Sequence, residues 1–195
     1  MKHRAVFFDR DDTLMVNVPY LGDPSLVEIF PEAALAMHTL QSADFWLFVV
    51  SNQSGVGRGL ITRNQVFAVN VELERQLGGD YIRAFYHAFA APGDPRATDR
   101  KPSPVLLFKA ADMHNLNLFE SFFVGDRLSD IECGLAAGCR TVLLTHEKSS
   151  RKDSPDEDDV LAREKANYIA TNLMEATQWI LQVSSSDPIP KTHEG

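Results

Sequence analysis

Short apolar runs recur along the chain, each separated from the next by a segment with helical spacing. Ala5–Phe8, Phe45–Val50, Phe122–Val124 and Thr141–Leu144 are almost wholly apolar on both odd and even positions. A strand tolerates that pattern only when both its faces are covered, as in a parallel sheet. Between these runs, 31–42 carries Ala34, Leu35 and Met37 at helical spacing behind Pro31, and 62–77 opens on Thr62 as a cap and stops at Gly78-Gly79. Segments 104–114, 129–137 and 173–181 read as further helices, and Ile82–Ala90 and Tyr168–Ala170 as further strands. The alternation predicts an α/β fold with a mainly parallel central sheet, right-handed crossovers and helices on both faces. A chain of 195 residues suffices for one such domain, placed at 1–183. Residues 184–195 read as a disordered tail, and His146–Asp159 as an exposed loop whose acidic run, Asp156–Asp159, is a solvated face.

A parallel α/β sheet binds its ligand at the carboxyl ends of its strands, so the residues that follow each apolar run are the candidate site. Four such ends carry chemistry. The first run stops in Asp9-Arg10-Asp11-Asp12-Thr13, where carboxylates can hold a hard cation and attack phosphorus. The second leads into Ser51-Asn52-Gln53-Ser54-Gly55-Val56-Gly57-Arg58-Gly59, a hydroxyl followed by glycines that let main-chain N–H groups approach an anion. This stretch matches neither a P-loop nor a dinucleotide fingerprint. Asp99-Arg100-Lys101-Pro102-Ser103-Pro104 holds a cationic pair between stiffening prolines, and Phe122–Val124 ends in Gly125-Asp126-Arg127-Leu128-Ser129-Asp130. Each segment alone reads equally well as a turn. In this order, the four place a nucleophile, a hydroxyl, a lysine and a metal carboxylate on successive strand ends.

Composition narrows the partners. The net charge of −8, without a basic stripe, argues against nucleic-acid binding. No apolar run reaches the ~20 residues that span a bilayer, so no membrane partner is expected. Two cysteines, Cys133 and Cys139, suit a reducing compartment, and Met1-Lys2-His3-Arg4 runs straight into the first strand. A cytoplasmic protein without a leader peptide is the expectation. Monomer is the default.

The ordered motifs resemble the haloacid dehalogenase superfamily of phosphatases. Within it, Asp9-Arg10-Asp11, Ser51-Asn52-Gln53-Ser54-Gly55, Arg58-Gly59 and Arg100-Lys101-Pro102 look like the capless subgroup acting on heptose bisphosphate or histidinol phosphate. The resemblance implies a three-layer Rossmann-like sandwich with no separate cap domain. It also implies an aspartyl-phosphate formed on Asp9, with Asp11 as general acid and base, and Ser51 and Lys101 on the phosphoryl oxygens. Mg²⁺ would be held by Asp9, the Asp11 carbonyl and Asp126; from its position alone, Asp130 either backs these ligands or is a first-turn acid favoured by the helix dipole. The small phosphorylated substrate would meet Asn17, Tyr20, Asn52, Gln53, Ser54, Arg58, Arg100 and Arg127. Heptose 1,7-bisphosphate leads, ahead of histidinol phosphate; a non-catalytic binding module on the same fold is the rival of another class.

Two departures from the family pattern carry expectations. Asp12 stands where the first motif has Gly, and is expected to turn away from the nucleophile. The zinc-loop positions of many relatives are His87, Phe89, Ala97 and Asp99 here, so no zinc is expected and His87 reads as a packing residue.

Overall fold

The apolar run Ala5–Phe8 becomes β1, the buried centre of the sheet, in a computed structural model that describes residues 2–95, 97–146 and 156–186. Its side chains alternate between two cores. Val6 and Phe8 pack into one cluster with Met37, Leu40, Val69, Leu73 and Ile180, while Ala5 and Phe7 pack into another with Leu107, Leu116 and Cys133. Hence the run shows no period-two polarity: both faces are dry.

β1 is flanked by β2 (Trp46–Asn52) and β4 (Phe122–Gly125), and the sheet is completed by β3 (Ile82–Ala88), β5 (Arg140–Leu144) and β6 (Tyr168–Ala170). The six strands run parallel in the order β3-β2-β1-β4-β5-β6. Phe48, Phe7 and Phe123 share a register row and stack across three strands, with ring centroids 5.4 and 6.4 Å apart. Each such buried ring contributes about 1.5–3 kcal/mol relative to exposure.

Helices α1 (Ala33–Ser42), α2 (Ser54–Gly57), α3 (Arg63–Leu77), α4 (Val105–His114), α5 (Leu128–Ala136), α6 (Glu157–Lys165) and α7 (Leu173–Ser186) fill the connections. α3 has the expected ends. Thr62 Oγ1 accepts from Gln65 N while Gln65 Oε1 accepts from Thr62 N, and Gly78 caps the other end with φ 77°.

Two expectations at the C-terminal end need correction. The acidic run within the expected 146–159 loop is the cap and first turn of α6: Asp156 accepts from Asp159 N, Glu157 and Asp158 follow, and Arg163 and Lys165 close the last turn. Charges so arranged complement the helix dipole, which is why a loop-like composition folds as a helix. Likewise α7 continues through Ser186, past the expected tail boundary at 184. The rest of that loop (147–155) and tail (187–195) lies outside the described residues. No separate cap unit occurs among the described residues, and no helix of theirs is long and apolar enough to cross a membrane.

Candidate active site

The strand order reverses direction between β1 and β4, and a crevice opens there at the carboxyl ends of the strands. Asp9 follows β1 and Asp126 follows β4, on either side of that point. A cleft of about 300 Å³ reaches Asp9, walled by the loop that contains Asn17 and Tyr20 and by the residues after β2.

Lys101 organises the floor. Its Nζ lies 2.7 Å from Asp9 Oδ1 and 2.7 Å from Asp130 Oδ1, and donates to the Val50 carbonyl at 2.8 Å. Burial opposes the charge on this ammonium, yet Asp130 and Asp9 outweigh it and raise the pKa, so Lys101 stays cationic. Burial pushes the Asp9 carboxyl up to about 6 despite the pull of Lys101. The lysine is placed by its main chain: Asn52 accepts from Lys101 N at 3.0 Å and donates to Lys101 O at 3.2 Å. The Lys101–Pro102 peptide bond is cis.

Gly125, at the end of β4, is the close-approach glycine of the site. A Cβ there would come within 2.6 Å of the Asp130 carboxyl, which accepts from Arg127 N and opens α5. Asp130 therefore sits in the first turn of α5 and stands in direct contact with the floor lysine. Asp9, Asp126 and Asp130 bring carboxylate oxygens within 4.8 Å of one another. Asp130 is spent on Lys101 and Arg127 N, which leaves Asp9 and Asp126 as hard oxygen donors of the kind that suits Mg²⁺.

Asp11 sits above this floor, its side chain 22% exposed. Arg10 Nη2 donates to both its oxygens, at 3.1 and 3.2 Å, and Gln53 Nε2 donates to Oδ2 at 2.9 Å. The same Gln53 amide donates to the buried Ser51 Oγ at 2.8 Å. The expected substrate ligands thus divide. Asn17, Tyr20, Ser54, Arg100 and Arg127 line the cleft. Asn52 and Gln53 also border it, but their amides are engaged with Lys101, Asp11 and Ser51. Arg58 caps α2 in an exposed position outside the cleft wall, although its charge reaches Arg100. Arg10, to which the motif pattern assigns no role, is 1% exposed and forked on Asp11. Its one signal in the chain is a charge placed directly against a dry strand.

Asp12 adopts φ 57°, the left-handed conformation that favours Gly, and its carboxylate accepts from Asn17 N at 3.3 Å. It thereby ties the Asn17 loop to the strand end. At the positions of a zinc loop, aromatic packing does the holding. Gly57 N donates to Phe89 O at 2.9 Å, Arg63 lies 4.6 Å over the Phe89 ring, and Phe67 meets it edge-on. Ser103 Oγ donates to Thr98 O at 2.6 Å further along.

A switch-point cradle of three aspartates and a lysine, with a second acid above it, defines a phosphoryl-transfer hydrolase of the haloacid dehalogenase type. The comparisons agree. The HAD-hydrolase-like family model matches residues 98–176. A D-glycero-D-manno-heptose-1,7-bisphosphate 7-phosphatase of Chlorobaculum tepidum is 32% identical over 72% of this chain and 78% of its own length. A D-glycero-beta-D-manno-heptose-1,7-bisphosphate 7-phosphatase of Mesorhizobium japonicum is 36% identical over 69% of this chain, a stretch spanning 65% of that protein. In structure, the D,D-heptose 1,7-bisphosphate phosphatase of B. bronchiseptica, complexed with magnesium and phosphate, superposes with a TM-score of 0.76 at 22% identity, covering 92% of this chain and 99% of that one. The chain belongs to the haloacid dehalogenase-like hydrolases, in the family of the heptose-1,7-bisphosphate 7-phosphatases. It is a phosphatase.

Proposed function

We propose that this phosphatase hydrolyses D-glycero-D-manno-heptose 1,7-bisphosphate through an aspartyl-phosphate on Asp9, with Mg²⁺ as cofactor. The observation that carries the choice of substrate is a second cationic subsite. Arg100 and Arg127 line the cleft, and Arg100 Nη1 is buried with no hydrogen-bond partner among the described residues. Burial, then repulsion from Arg58 and Arg127, lowers the Arg100 pKa. A second dianion relieves that repulsion, whereas the ammonium of histidinol phosphate adds to it. A bisphosphate therefore fits better than an amino-alcohol monophosphate.

In this reading the Asp9 carboxylate attacks phosphorus, and the P–O bond to the sugar breaks as Asp11 gives its proton to the leaving oxygen. Asp11 then takes a proton from the water that attacks the aspartyl-phosphate, and phosphate leaves with Asp9 restored. Ser51 Oγ and Lys101 Nζ would bind the phosphoryl oxygens, the lysine by sharing the donor it now directs at Asp9. When bound by Asp9, Asp126 and the Asp11 carbonyl, Mg²⁺ supplies charge screening between nucleophile and phosphate dianion.

Phosphate release is to be followed with Mg²⁺ from both anomers of the heptose bisphosphate, from histidinol phosphate and from a phosphometabolite panel. The expected result is one preferred substrate with kcat/KM above about 10⁴ M⁻¹s⁻¹, lost by at least ~10³-fold in Asp9→Asn. Turnover that survives Asp9→Asn removes the covalent mechanism; preference for histidinol phosphate removes the case for a second dianion.

A further inference from the structure

The core-facing stripe of α3 reads Val66, Val69, Leu73 and Leu77, and one polar residue interrupts it: Asn70, 4% exposed. A buried amide in a helix interior has to find partners or lose stability. Asn70 Oδ1 accepts from Arg10 Nη1 at 3.1 Å, and Asn70 Nδ2 lies 2.8 Å from His87 Nε2 on β3. Because a guanidinium only donates, the amide orientation is fixed, and Nε2 of His87 accepts; Nδ1 then carries the proton although it is buried with no hydrogen-bond partner among the described residues. Burial, then the charge of Arg10, depresses the His87 pKa to about 4, which keeps the imidazole a neutral acceptor.

A chain of hydrogen bonds thus runs from the sheet edge to the site: His87, Asn70, Arg10, Asp11. Its far end matters because Arg10 uses Nε and Nη2 on the Asp11 carboxylate, leaving Nη1 as the atom that sets the guanidinium plane. We infer that Asn70 and His87 are positioning residues for the proton-transfer step, holding Arg10 so that Asp11 stands where a leaving oxygen will need its proton. The inference rests on the role of Asp11 proposed above.

A purely structural role weakens all turnover alike. Positioning of a general acid instead shows in the dependence on leaving group, since an alkoxide must be protonated as it departs while p-nitrophenolate need not be. kcat/KM, which reports the steps through departure of the leaving group, is to be measured on heptose 1,7-bisphosphate, phenyl phosphate and p-nitrophenyl phosphate. The proteins are wild type, Asp11→Asn, Asn70→Leu, His87→Phe and His87→Gln, each checked for folding by circular dichroism. Asp11→Asn calibrates the split, with about 10²-fold or more lost on the two poor leaving groups and at least tenfold less on the good one. Asn70→Leu is expected to lose about 10–100-fold on the poor leaving groups and under ~3-fold on p-nitrophenyl phosphate. His87→Phe keeps the ring volume and shows the same split at about 3–10-fold, and His87→Gln, which restores an acceptor, returns to within about twofold. Equal losses on all esters, or none, in Asn70→Leu alongside a clear split in Asp11→Asn overturn the positioning role alone. Absence of a split in Asp11→Asn overturns the acid assignment and the inference with it.

Discussion

The acidic floor of the site and the segment that follows β3 are built on opposite principles. On the floor, Asp9, Lys101, Asp126 and Asp130 are 7, 4, 1 and 1% exposed, and the lysine is shared between two carboxylates. Buried charges are tolerable only as a set, because removing one partner strands another at a cost of about 3–5 kcal/mol. The segment that follows β3 is held by separate small contacts: a main-chain bond from Gly57 to Phe89, a guanidinium over a ring, an aromatic edge. Such contacts are worth about 0.5–1 kcal/mol each and fail one at a time. The floor is therefore held as a unit, while the segment after β3 can change without unfolding the sheet.

The sharpest way to break the contrast is Gly125→Ala. The added methyl meets the Asp130 carboxyl, so α5 has to move, taking with it a partner of Lys101. About 2–3 kcal/mol of stability and more than ~100-fold of activity are expected to go together, read by urea denaturation and phosphate release. Activity surviving intact would mean that the floor is softer than its packing implies.

Burial of His87 predicts a smaller effect with a defined sign. With a folded pKa of about 4 against the ordinary histidine value of 6.5, the unfolded chain takes up this proton first as pH falls. Stability is thus full above about pH 6.5 and declines towards pH 4, by at most about 3 kcal/mol. The difference in urea midpoint between wild type and His87→Phe should narrow or reverse from pH 7 to pH 4.5, shared carboxylate effects cancelling. A constant difference would show that His87 titrates normally.

In the segment after β3, Arg100→Ala should raise KM for a bisphosphate by about tenfold, near 1.4 kcal/mol, and leave the monophosphate p-nitrophenyl phosphate within about twofold. Equal effects on both would place Arg100 at the reacting phosphate. Smallest of all, Arg63→Ala should cost about 0.5–1 kcal/mol in thermal denaturation with near-normal kcat; a large loss would make the segment after β3 as cooperative as the floor.

Much of this contrast is legible in the chain itself. Dry strand runs announce a parallel sheet, and charged residues at their ends announce where chemistry gathers, because period and burial are local properties of a strand. Thr62 and Gly78-Gly79 mark the ends of α3 for the same reason. The α6 helix is not legible, since Glu157, Asp158 and Asp159 resemble a solvated loop until Asp156 caps them.

What the sequence alone marked out, then, is the fold class and the candidates Asp9, Asp11, Ser51 and Asp126 at strand ends, with Lys101 in the turn before α4. Tertiary structure decided the partners: that Asn52 clamps Lys101 across 49 positions, that Gln53 joins Ser51 to Asp11, and that Arg10 reaches Asn70 across 60. Hydrogen bonds of that reach depend on which helix crosses which strand, and a buried polar group carries no mark in its own sequence of the partner that will satisfy it.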